Sequence, residues 1–135
     1  MLRWRERGAV LIERQRPLIV CLCGSTRFGA AFREANLCET LKGHIVLSIG
    51  CDLQSDDERW ADPVEREQIK QRLDILHLRK IDLCDYVLVL NVEGYIGEST
   101  QREIQYAESI GRVVKYLETG SEQLRRVREN DGSEH

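Results

Sequence analysis

The sequence predicts an α/β domain built on a parallel sheet, and three observations predict it. Short, nearly continuous apolar runs recur four times along the 135 residues, helical patterns fall between them, and glycines mark several of the junctions. Apolar runs of this kind suit strands buried on both faces. Their alternation with helices suits right-handed crossovers between parallel strands. The length fits one domain.

The elements follow in order. Residues 1–17 form a basic N-terminal arm, with five arginines (Arg3, Arg5, Arg7, Arg14, Arg16) against Glu6 and Glu13. Pro17 separates the arm from Leu18–Cys23, a strand closed by Gly24. From Arg27 to Leu41 the spacing of Phe28, Phe32 and Ala35 turns helical, with Gly43 placed as a C-terminal cap. Ile45–Ile49 reads as the second strand. An acidic loop, Cys51–Asp62, leads to Asp62-Pro63-x-Glu65, the pattern of an N-cap, a proline at the first helical position and a capping-box partner. The helix runs to about Leu83 with Ile69, Leu73 and Leu76 on one face. Tyr86–Leu90 is the third strand. Ser99 or Thr100 starts a helix that Gly111 stops, and Val113–Leu117 is the fourth strand. Residues 118–135 hold a short helix and a polar tail.

Composition excludes several function classes. Apolar residues make up 41% and charged residues 32%, enough for a packed core. A net charge of −3 argues against a dedicated binder of nucleic-acid polymers, which carries a basic excess. No apolar run reaches the ~18–20 residues of a membrane span, and the N-terminus lacks the apolar stretch of a signal peptide. The five cysteines (Cys21, Cys23, Cys38, Cys51, Cys84) are odd in number and form no CxxC. They read as reduced thiols of a cytoplasmic protein, and their spacing suggests no metal site.

In parallel sheets, ligands bind beyond the carboxyl ends of the strands. That directs attention to three loops. Gly24-Ser25-Thr26-Arg27 joins a buried strand to a helix start, where outward amides, two hydroxyls and a guanidinium suit a phosphate or carboxylate. The same residues also fit a simple N-cap. The loop lacks the Gly-Lys-Ser/Thr of a phosphate-binding P-loop and the GxGxxG of a dinucleotide site. After the second strand, Asp52 suits a sugar hydroxyl or a solvated loop, and Asp56-Asp57-Glu58 suits a solvated loop or a lid beside Trp60. After the third strand, Gly97, Ser99 and Thr100 face the ligand edge. Glu103, placed in the first helical turn, is a candidate nucleophile. Thr100-x-x-Glu103 is equally a capping box that would tie the carboxylate to its own backbone. His44 and Asp85 read as residues at strand starts with structural roles.

Taken together, Cys23-Gly24-Ser25-Thr26-Arg27, a strand begun by Asp85, the run Gly97–Glu103–Ala107 and Gly111 before the last strand resemble the nucleoside 2-deoxyribosyltransferase superfamily. The nearest branch is the deoxynucleoside 5′-monophosphate N-glycosidases, over roughly residues 18–117. The resemblance implies a single Rossmann-like, flavodoxin-type domain with a sheet of four to five strands and helices on both faces. It implies a small-molecule nucleoside or nucleotide substrate cleaved or transferred at the base–sugar bond, with no metal or other cofactor. It also implies a homodimer or larger homo-oligomer. Glu103 would attack the anomeric carbon, and Ser25, Thr26 and Arg27 would hold the 5′-phosphate. The family's first-strand tyrosine corresponds here to Cys21. Its acid–base aspartate corresponds to His77, with Asp74 one turn earlier, and a glycine before the nucleophile corresponds to Gln101. The expected chemistry is attack by Glu103 while His77 or Asp74 protonates the departing base. A nucleotide sensor on the same fold that does not cut its ligand is the alternative. A ribosyl substrate ranks below both, because the Pro-Gly-Gly-x-Gly-Thr loop of cytokinin-activating phosphoribohydrolases is missing.

Overall fold

The computed structural model describes residues 16–50 and 57–119. Asp52, most of the acidic loop, the arm before Arg16 and the tail after Thr119 lie outside the described residues. Four strands, β1 (Ile19–Cys23), β2 (Ile45–Leu47), β3 (Tyr86–Val89) and β4 (Val113–Tyr116), form one all-parallel sheet in the order β2-β1-β3-β4. Three α-helices connect them: α1 (Gly29–Leu41), α2 (Pro63–Leu83) and α3 (Glu98–Ser109). This is a Rossmann-like α/β domain with the strand order of a flavodoxin-type sheet. Among the described residues no helix is long and apolar enough to cross a membrane.

Alternation along β1 divides the core. Val20 and Leu22 pack with Ala35 and Phe32 of α1 and with Tyr86 and Leu90. Cys21 and Cys23 point the other way, into a cluster with Ile81 of α2 and Ile104 and Ala107 of α3. One face of the sheet thus carries α1, and the other carries α2 and α3. Because β1 and β3 are neighbours while their crossovers leave in opposite directions, the sheet has its switch point between their carboxyl ends.

Local chemistry explains where the elements begin and end. The Asp62 side chain accepts from the Val64 amide at 2.8 Å and Pro63 occupies the first turn of α2. Gly43 and Gly111, just past α1 and α3, adopt φ +84° and +77°, which side chains disfavour. The first loop forms a 3₁₀ turn (Thr26–Phe28) before α1 begins at Gly29. β2 stops at Leu47, short of Ile49; the next carbonyl, of Ser48, accepts from Lys80 Nζ at 2.6 Å.

α3 starts one residue before Ser99, with Gly97 as its N-cap. Thr100 is therefore the third helical residue, and Glu103 lies in the second turn rather than the first. The capping-box geometry is not formed, because Glu103 is too far along the helix to reach the first orphan amides.

At the opposite, amino-terminal edge, Asp85 takes a structural role. Its carboxylate accepts from the Ile19 amide at 2.7 Å and from both terminal nitrogens of Arg16 at 2.7 and 2.9 Å. Those contacts hold its carboxyl below the usual range, the Arg16 hydrogen bond first. His44 is structural as well. Its Nδ1 lies 3.1 Å from the Tyr86 hydroxyl, which donates to the buried Glu39 carboxylate.

Candidate active site

One cavity of about 640 Å³ opens at the switch point. Every described residue that the sequence singles out for the site lines it. Gly24, Ser25, Thr26 and Arg27 come from the loop after β1. Gly97, Ser99, Thr100 and Glu103 come from the start of α3, and Asp74 and His77 from α2. The sequence does not single out Arg66, Lys70, Leu73, Lys80 or Tyr95, which also line it. For α2 the signal was present: Arg66, Lys70, Leu73, His77 and Lys80 recur at intervals of three or four residues, the spacing of one helix face. Trp60 is not among the lining residues.

The first loop holds a guanidinium in place. Arg27 Nε donates to Ser25 Oγ at 3.2 Å, and the Arg27 guanidinium carbon lies 4.3 Å from the centre of the Tyr95 ring. Tyr95 in turn packs edge-on against Phe28. Neither Arg27 nor Arg66 has a carboxylate partner among the described residues, whereas Lys70 pairs with Asp74 at 3.2 Å. The cavity therefore presents two guanidiniums not engaged by a carboxylate to an anion. Gly24 has a different task from the one its loop position suggests. A Cβ there would stand 3.1 Å from Leu90 Cβ and 3.3 Å from the Leu90 carbonyl oxygen, so its bareness lets the ends of β1 and β3 close up.

Deeper in the cavity, Glu103 Oε2 is buried and has no hydrogen-bond partner among the described residues. It lies 3.9 Å from His77 Nε2, and the two side chains are only 13% and 7% exposed. Asp74, one turn before His77, is 46% exposed. Of the two acid–base candidates, His77 thus sits beside the carboxylate and Asp74 stands toward solvent. Burial raises the Glu103 carboxyl above its ordinary range, against the pull of His77. Burial alone would lower His77, but its hydrogen bond to Cys21 and the charges of Cys21 and Glu103 outweigh it and move the imidazole upward.

Two thiols lie behind His77, fully buried and outside the cavity lining. His77 Nε2 lies 3.3 Å from Cys23 Sγ and 3.7 Å from Cys21 Sγ. The hydrogen bond from Cys23, aided by His77, draws the Cys21 thiol below its ordinary range against the cost of burial. The same contact with Cys21, together with burial and the nearby Glu103, pushes the Cys23 thiol up. The spacing of the cysteines in the sequence gave no sign of this cluster, which needs a helix residue more than fifty positions away. Comparison with protein-family models, curated proteins and solved structures finds no match to this chain.

Proposed function

We propose that this protein cleaves or transfers at the N-glycosidic bond of a deoxynucleoside or its 5′-monophosphate, with Glu103 as the nucleophile. The observation that carries the proposal is Glu103 Oε2: a buried carboxylate oxygen with no hydrogen-bond partner among the described residues, on the wall of a nucleotide-sized cavity. Such an atom is costly to keep unless it has a task.

The chemistry follows that of retaining glycosidases. The phosphate docks on the amides and hydroxyls of Gly24–Thr26 and on Arg27, leaving the sugar over Glu103. Glu103 attacks C1′ as the bond to the base breaks, and the base nitrogen keeps the electron pair. His77 supplies the proton that nitrogen takes up, and Asp74 faces the base from the solvent side. Water or a second base then attacks C1′, the ester to Glu103 breaks, and its electron pair returns to the carboxylate. The displaced proton goes back to His77.

A panel of deoxynucleosides and their monophosphates, incubated with the protein and resolved for free base, tests the proposal. Glu103→Gln is expected to keep the circular-dichroism spectrum and abolish base release. Unchanged turnover would remove Glu103 from the reaction. A nucleotide sensor is the second reading, favoured by Cys21 and His77 standing where the resembled family has a tyrosine and an aspartate. Tight calorimetric binding of a monophosphate that stays intact would establish it instead.

A further inference from the structure

Beside Glu103, the side chains of Cys21, Cys23 and His77 form a convergent set whose thiols the N-glycosidic reaction does not use. The thiols project from one face of β1, two residues apart. The imidazole comes from α2 and the carboxylate from α3. Cys21 and Cys23 are inaccessible and His77 is buried. The two sulfurs and the imidazole nitrogen all lie within 4.8 Å of one another. Tetrahedral zinc, with bonds of about 2.3 Å to sulfur and 2.0–2.1 Å to nitrogen and oxygen, spaces its ligand atoms roughly 3.3–3.8 Å apart. The sulfur–nitrogen separations of 3.3 and 3.7 Å fall in that range, whereas the 3.9 Å from His77 Nε2 to the Glu103 oxygen does not. Glu103 falls outside this set of mutually close donors, so the fourth position is left to a water.

We infer that Cys21, Cys23 and His77 bind one zinc ion, with a water in the fourth position. Two thiolates and an imidazole are a donor set that suits zinc. The ion has a route in, since His77 and Glu103 both line the open cavity. On binding, the thiol protons leave to water. The inference goes beyond the proposed reaction: it leaves Glu103 free to attack and passes the role of proton donor from His77 to Asp74.

The test begins with the chelator-stripped full chain under reducing, anaerobic conditions, titrated with Co²⁺. One equivalent should produce a thiolate-to-cobalt charge-transfer band and the intense visible bands of a tetrahedral ion, and Zn²⁺ should bleach both. Cys21→Ser and Cys23→Ser should each lose the thiolate band, and Cys38→Ser, at an exposed thiol, should keep it. His77→Ala should weaken Zn²⁺ binding, and Glu103→Gln, outside the donor set, should keep the thiolate band. Should the buried variants fail to fold, X-ray absorption of the zinc-loaded wild type decides: two sulfur and two lighter neighbours are expected. No charge-transfer band in the wild type, a band indifferent to both serine variants, or fewer than two sulfur neighbours would overturn the site. Base release by a protein that takes up no metal sinks the zinc site alone. Zinc uptake by a protein that releases no base sinks the N-glycosidic reading alone.

Discussion

Arg27 is where the phosphate claim meets a number. Its guanidinium is held by Ser25 Oγ at 3.2 Å and by the Tyr95 ring at 4.3 Å, so it is oriented before any ligand arrives. A hydrogen bond to a charged group contributes about 1.5–3 kcal/mol, and each 1.4 kcal/mol is about a factor of ten. Arg27 is exposed, so water and salt screen it and place the effect at the low end. Arg27→Ala should therefore raise KM for a deoxynucleoside 5′-monophosphate about 10-fold. For the matching nucleoside, which lacks the phosphate, KM should move by less than about twofold, within the usual range for surface substitutions. The gap should narrow as salt is added. Tyr95→Leu, which removes the stacking but leaves the charge, should cost about 3-fold on the monophosphate, from roughly 0.5–1 kcal/mol of cation–π energy. Base release on both substrates, at two ionic strengths, supplies every value. Equal effects of Arg27→Ala on nucleoside and nucleotide would refute the phosphate site.

Three other outcomes test the fold that carries the cavity. Gly24→Ala sets a methyl group 3.1 Å from Leu90 Cβ and should cost about 1–3 kcal/mol in urea unfolding, as overpacking does; wild-type stability would show that β1 and β3 can part. Tyr86→Phe leaves Glu39, only 3% exposed, without its hydroxyl donor and should cost about 1–3 kcal/mol by the same measurement; no change would mean Lys42 and His44 suffice. Asp85, held below its ordinary pKa by Arg16 and the Ile19 amide, lends stability that is complete above the unfolded value of about 3.9 and lost as pH falls through the lower folded value. Asp85→Asn should flatten that acid-side decline, and an unaltered pH–stability curve would deny the contribution.

Much of the framework was legible because it rests on local rules. Continuous apolar runs marked all four strands, and Asp62-Pro63 fixed the start of α2 through a cap that the Val64 amide completes. The errors arose where distant groups intervened. β2 ends early where Lys80, from another element, takes the Ser48 carbonyl. Thr100-x-x-Glu103 looked like a cap, but the loop delivers Gly97 as the N-cap, and the carboxylate moves one turn along the helix, beside His77. The thiol pair was unreadable for a related reason. Cys21 and Cys23 are ordinary residues of an apolar strand until α2 lays an imidazole across them. The basic face of α2 could have been found from its spacing. Its relation to the Gly24 loop could not, because it depends on how the crossover folds back over the sheet.

The Asp85 clamp has a consequence for how this protein tolerates change. It fastens the start of β1 and β3 at one rim of the sheet, while the cavity occupies the other rim of the same strands. Anchorage and chemistry are thus separated by the length of a strand. Substitutions that retune the cavity leave the anchor untouched, so natural variation or laboratory selection can alter what the cavity accepts without first loosening the sheet that carries it.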